Sequence, residues 1–352
     1  MASNFLDFSV SIDDKITANS RAVLYKKPTK KNNLKVEVYE EPQEIRRQRL
    51  LFEQKKNRDA SFNAGRGLLN AALQGNDHND EEMDVQQYES QRHCRQNPCY
   101  ANQLMMSEWM MEIPPDLSDK WWMVPCPLGR RVLLIACKGA TRAYSKRGIQ
   151  LGKFSTALPG GTYQEYKRSC TILDCIWVKE TKTYYVLDVL AWSNQPLLNC
   201  DTEFRFFWLQ TRLEETQGLK ERGTPLNSYP ILPLPNYPCN SEVSTIITDL
   251  STLPIIDGLL FYHKDAHYTH GRTPLVTWLK PFMLPDIFGV QFPPDIYERP
   301  TDYVDIRTYI QQNTMRKKKK NKHNDKQLDE LMETANMGFT DCETVLSTEE
   351  MA

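Results

Sequence analysis

The sequence predicts an α+β fold built on antiparallel sheets, and three observations carry that expectation. Strand-like segments come in pairs joined by short polar turns, as hairpins do. CTILDCIWV (170–178) and TYYVLDVLAW (183–192), for example, flank the turn KETK. Helical patterns lie at the edges of the strand run rather than between successive strands, which argues against repeated βαβ units. All seven tryptophans fall between residues 98 and 295, so the core is expected there.

Taken in order, residues 1–20 read as disordered. EPQEIRRQRLLFEQKKNR (41–58) suits a helix, with Pro42 in its first turn, Glu41 and Glu44 at its positive end, and Lys55, Lys56 and Arg58 at its negative end. Gly65 and Gly67 are expected to end it. Leu50, Leu51 and Phe52 make only a short apolar patch. The helix therefore reads as a solvated arm, or as a segment that folds on an acidic partner. Residues 76–97 form a polar linker. RVLLIACKG (131–139) is β-rich, and TRAYSKRG (141–148) follows a Gly-containing turn. After the KETK hairpin, Asp201 can cap a helix through FRFFWLQTRLEE. IIDGLLFYH (255–263) and LVTWL (275–279) complete the strands, separated by the turn-prone HYTHGRTP. The expected division is a disordered start (1–20), a basic arm (21–69), an acidic and polar linker (70–97), a globular domain (98–295) and a charged tail (296–352). The linker has little to pack with, so arm and domain are expected to be separable modules.

Charge supports this segmentation. The net charge is only −1, yet residues 21–58 hold 12 Lys/Arg against 5 Glu. DHNDEEMD (77–84) holds five acids, six of the seven residues 316–322 are basic, and 327–352 holds seven acids and no Lys or Arg. The run RKKKKNK (316–322) reads as a solvated tail, with a second nuclear-localisation element or an RNA-backbone contact as alternatives. No apolar run approaches ~18 residues, so no membrane span is expected. The opening MASNFLDFSVSIDD lacks a basic start followed by an apolar block, so no signal peptide is expected either. Nine scattered cysteines fit reduced thiols in cytosol or nucleus.

Motifs narrow the chemistry. His263, His267 and His270 have a spacing that could suggest zinc, but the chain turns through Gly271, so a structural or surface role is favoured. His93, Cys94 and Cys99 lack a second Cys/His pair. No Gly-rich phosphate loop, Ser-His-Asp set or H-E-x-x-H is present, and neither metal nor cofactor is called for. CPLGRR (126–131) is more informative. Nucleotide-transferring enzymes often enter a strand through Lys-x-Asp-Gly-x-Arg, where the lysine attacks a nucleoside triphosphate. Gly129 and Arg131 keep that spacing, but Cys126 and Leu128 replace the lysine and the aspartate. Trp278, followed by Lys280 and Pro281, reads as a strand end at a rim, where an indole beside a cation suits a stacked base and its phosphates.

YANQLMMSEW (100–109), CPLGRR, AYSKRG (143–148), LPGG (158–161), CTILDC, YYVLDV, DGLLFYHK (257–264) and TPLVTWLKP (273–281) resemble the snurportin family in order and with few gaps. That family comprises import adaptors for the 2,2,7-trimethylguanosine cap of spliceosomal U snRNAs and their particles. The resemblance implies a cap-binding domain related in fold to the GTP-binding domain of mRNA guanylyltransferases. The nucleotide cleft would be kept and the chemistry lost with the lysine. It places cap contacts on Ser107, Trp109, Lys146 and Trp278, with Met106 alongside and Arg130 and Arg131 in a segment tied to cap binding. Trp278 would stack on the base, Lys146 would meet phosphate, and Trp109 would shape a methyl-lined wall. RAVLYKK (21–27) and IRRQRLLFEQKKNR (45–58) resemble the family's importin-β-binding segment, implying receptor contacts by Arg46, Arg47, Arg49, Lys55, Lys56 and Arg58. Glu37, Glu40, Glu41 and Glu44, together with Gly65 and Gly67, depart from that pattern and leave open which importin-β-family member is used. The family also implies recycling by an exportin and shuttling between cytoplasm and nucleus. The rival expectations are a guanylyltransferase- or ligase-like enzyme and a general RNA-binding protein.

Overall fold

The computed structural model describes residues 41–74, 96–163, 169–240, 256–289 and 299–312, and the chain from Pro42 onward forms one unit. The disordered start, the RAVLYKK element, most of the linker, the RKKKKNK run and the acidic tail lie outside the described residues.

Helix α1 (Gln43–Lys56) starts after Pro42, carries Glu44 in its first turn and Lys55 and Lys56 in its last, and so obeys the dipole. Helix α2 (Arg58–Gln74) follows at once and runs through both glycines that were expected to stop it. Gly65 is used for packing. A Cβ there would come within 3.0 Å of Leu198, so the missing side chain lets α2 lie close to the body.

Among the described residues the strands form two sheets. The larger runs β1 (Gln96–Ala101), β6 (Arg147–Phe154), β5 (Ala140–Tyr144), β4 (Arg130–Cys137), β7 (Cys170–Val178), β8 (Thr183–Trp192) and β10 (Ile231–Pro233), with β9 (Gln195–Pro196) beside β8. The smaller runs β11 (Tyr237–Pro238), β3 (Trp121–Pro127), β12 (Ile256–His263), β13 (Gly271–Leu279) and β2 (Met105–Trp109). Pairing is antiparallel as expected, except that β10 joins β8 and β2 joins β13 in parallel. The KETK turn joins β7 and β8, with Lys182 at φ 47°.

Strands of the larger sheet are buried on both faces, which explains why CTILDCIWV reads as a nearly unbroken apolar run. Alternation sorts its side chains. Leu133, Ile135, Ile172 and Ile176 fill the core shared with the smaller sheet, while Val132, Leu134, Leu173 and Trp177 fill an outer core. Helix α3 (Leu117–Lys120) leads into β3. Helix α4 (Thr202–Glu215) covers the outer core with Leu209 and Leu213. Asp201 caps it as expected, accepting a 2.8 Å bond from the Phe204 amide.

Two boundaries differ from the expectation, for one physical reason: apolar groups spaced along the supposed extensions need cover. Leu68, Leu69 and Ala72 of α2 are buried in the inter-sheet core, so Pro42–Gln74 belongs to the body rather than to a separate arm. At the other end, Tyr303 and Ile306 are buried with Met283 and Leu284 of the turn Pro281–Met283 and helix α5 (Leu284–Phe288), so packing continues past residue 295.

Candidate functional site

Trp278 lies on the face of β13 toward the inter-sheet core, partly buried. What lets its ring lie flat is a missing side chain on the neighbouring strand. A Cβ on Gly258 would sit 2.4 Å from Cζ2 of Trp278 and 2.5 Å from the Leu279 carbonyl oxygen. Gly258 is in turn the register partner of Cys126 on β3. The indole therefore sits beside the strand position where a nucleotide-accepting lysine would emerge. Lys280 Nζ is 5.7 Å from the Trp278 ring centroid and is ion-paired with Asp257. That pairing offsets the ammonium charge beside the ring, so a cationic base stacked on the indole is not repelled by a lone neighbouring cation.

Strand β2 brings Met106, Ser107 and Trp109 alongside. Ser107 is in register with Thr273 and Trp109 with Trp278, across an irregularity between Thr273 and Thr277. Met106 packs on the inter-sheet core, whereas Trp109 is partly buried on the other cluster of the smaller sheet, with Tyr309 edge-on at 6.2 Å. Lys146 is exposed at the tip of the β5–β6 hairpin. Its carbonyl accepts a 2.8 Å bond from Asn102, which ties the hairpin tip to the segment entering β2.

Arg130 and Arg131 separate, as successive strand residues must. Arg131 turns inward and gives a bidentate pair to buried Asp174, at 2.9 and 2.7 Å. Burial opposes its charge, but Asp174 overrides that and raises its basicity further. Tyr268 donates to the same carboxylate at 2.7 Å and accepts from the Met105 amide at 2.9 Å. Arg131 thus braces the start of β2 through two intermediaries. Arg130 instead lines a cleft of about 240 Å³ on the outer core, with Leu128, Trp177, Lys179 and Tyr184, away from Trp278. Gly129 is required by packing, since a Cβ would fall 2.5 Å from the Trp177 carbonyl oxygen.

The thiol of Cys126 is buried, donates to the Val124 carbonyl at 3.6 Å, and is pushed far above the ordinary thiol range by desolvation. A thiol held this way is a poor nucleophile. The three histidines serve different partners. His270 Nδ1 contacts the Gln103 carbonyl, and the His267 amide donates to Gln54. Buried His263 accepts from the Asp265 amide at Nδ1, with Nε2 3.5 Å from Asp116. Burial lowers its basicity despite that carboxylate.

The basic helix is unevenly committed. Arg46 gives Glu108 two bonds of 2.5 and 2.8 Å, and Gln43 donates to both Glu108 and the Trp109 carbonyl at 3.0 Å. Arg47 is buried, with Cζ 4.7 Å above the Trp121 ring, Nε bonded to the Pro274 carbonyl, and Glu44 as its ion partner. Arg49, Lys55 and Lys56 are exposed, and Arg58 opens α2. Gly258, Asp174, Tyr268 and Glu108 escaped the sequence reading. Only Gly258 carried a local signal, as a lone glycine inside a strand pattern.

Solved structures with limited similarity include the ligase domain of LigD from M. tuberculosis, at 15% identity over 50% of this chain and 58% of that chain, with a TM-score of 0.35. A mycobacterial DNA ligase D complexed with ATP and MES matches at 16% identity over 51% of this chain and 61% of that chain, also with a TM-score of 0.35. The chain thus spans less than two thirds of either ligase chain. Residues 103–281, half of the chain and the stretch that holds Trp278, Trp109 and Lys146, match the family described as Snurportin1, m3G cap-binding domain. The chain belongs to the snurportin m3G cap-binding family.

Proposed function

We propose that this chain is a non-enzymatic transport adaptor. Its central domain holds the 2,2,7-trimethylguanosine cap of U snRNAs or their particles, and its N-terminal region engages an import receptor of the importin-β family. The observation that carries the cap assignment is Trp278, laid flat over Gly258 with the Lys280–Asp257 pair beside it. N7-methylation makes the base cationic, which strengthens stacking on an indole. Lys146, exposed on its hairpin tip, is placed to meet phosphate as a point charge. Buried Cys126, in place of a lysine, speaks against nucleotidyl transfer. Exposed Arg49, Lys55 and Lys56 offer an acidic receptor its first contacts. Shuttling between cytoplasm and nucleus, with return on an exportin, completes the reading.

Two assays test it. Trimethylguanosine-capped RNA should bind far more tightly than the same RNA uncapped; equal binding would make the chain a general RNA binder. Incubation with labelled GTP and magnesium or manganese should leave no covalent nucleotide, whereas a stable adduct would revive the enzyme.

A further inference from the structure

Strand β2 carries Ser107 and Trp109 yet lies at the edge of the smaller sheet, with β13 as its single ladder partner and an irregular register between them. An edge strand leaves backbone groups without ladder partners. Helix α1 takes the place of the missing strand. Gln43 donates to the Trp109 carbonyl at 3.0 Å, as the amide of a further strand would. Arg46 grips the intervening Glu108 with both terminal nitrogens. Arg47 anchors the same helix turn to the Pro274 carbonyl of β13 and to the Trp121 ring of β3.

Glu108 fits the role of an internal anchor. Its side chain is only 15% exposed, and although burial works against its charge, Arg46, Gln43 and the field of Arg272 together hold it below the ordinary carboxylate range. A charged carboxylate half out of water gains more from a fixed guanidinium fork than an exposed one does. The clamp is therefore more than a surface ion pair.

We infer that Arg46, with Gln43, is a positioning residue of the ligand site: through Glu108 it sets the strand that presents Ser107 and Trp109, so that docking of α1 and occupancy of the site are thermodynamically coupled. By reciprocity, a ligand that needs β2 in place holds α1 down, and a receptor that draws α1 off weakens the ligand by the same factor. The inference rests on the cap-binding reading only for the identity of the ligand.

The test is a charge-swap cycle on the full chain: Arg46→Glu, Glu108→Arg and both together, with Gln43→Ala as a milder variant. Each is checked for unchanged near-UV circular dichroism, titrated with a trimethylguanosine cap dinucleotide, and followed by amide hydrogen exchange over 105–110. Arg46→Glu and Glu108→Arg should each weaken cap binding by about 5- to 150-fold, the usual span of such coupling. Both should speed exchange at β2, and the double swap should restore binding and protection together. Gln43→Ala should fall between wild type and Arg46→Glu. Singles that leave affinity and exchange unchanged, or folded singles whose losses the double swap does not restore, would overturn it. If the wild type fails to bind cap, the ligand reading fails while the exchange measurement still decides the positioning role.

Discussion

At the residue scale, Trp278 and its glycine carry the account. Base–aromatic stacking is worth ~1–3 kcal/mol by alanine substitution, so Trp278→Ala should weaken trimethylguanosine-cap binding by about 10- to 100-fold. Trp278→Phe should recover part of that. Gly258→Ala should cost about 1–3 kcal/mol of stability as an overpacked site and shift tryptophan emission, because the new methyl meets both the indole and a backbone oxygen. Near-wild-type emission and stability would show that the ring does not lie over Gly258. His263 supplies a pH test. Its folded basicity is depressed by burial, so the stability it allows is complete above about pH 6.5, the ordinary imidazole value, and is lost as pH falls below that. Protonation would also break the Nδ1 bond from Asp265. Urea midpoints should therefore drop from pH 7 to 5.5, and His263→Phe should flatten the curve; an identical slope in the variant would assign the effect elsewhere. Trp278 was legible in sequence because a rim tryptophan followed by Lys and Pro is a local pattern. Arg131 was not, because its partner Asp174 lies 43 positions away and only the β4–β7 register brings them together.

At the element scale, hairpins were the most readable part, since β7, β8 and the Asp201-capped helix depend on local alternation, turn chemistry and a cap. Strands β1, β2, β3, β10 and β11 were not read, and neither parallel pairing was, because short segments held by distant neighbours leave little periodicity behind. Helix α4 also carries a group no local pattern reveals. Arg205 is fully buried and bidentate to buried Asp188 at 2.8 and 2.9 Å, with Ala266 and Cys200 carbonyls accepting from its third nitrogen. Arg205→Met should cost about 3–5 kcal/mol by leaving an uncompensated carboxylate in the core. Adding Asp188→Leu should return much of that loss. Urea unfolding of the two variants measures this, and a double variant no more stable than the single would argue against a simple buried pair.

At the scale of the whole molecule, composition misled about modularity. A basic helix with few apolar residues resembles a free arm, yet α1 docks through polar groups and α2 through a narrow stripe of Leu68, Leu69 and Ala72. A fragment beginning at residue 97 should therefore unfold well below a 42–312 fragment, rather than match it, because it uncovers the inter-sheet core; equal thermal midpoints would restore the arm as a separate module. The central claim is that an intact nucleotide cleft has become a trimethylguanosine-cap site centred on Trp278. Its most direct test is calorimetric titration of the full chain and of Trp278→Ala with trimethylated and monomethylated cap dinucleotides. Both caps carry the N7 methyl, so stacking alone cannot separate them, and discrimination must come from apolar contact with the extra methyls, with Trp109 the candidate wall. The account predicts tight binding of the trimethylated cap, weaker binding of the monomethylated one, and loss of both in Trp278→Ala. Trimethylated-cap binding by Trp278→Ala at near-wild-type affinity would contradict it.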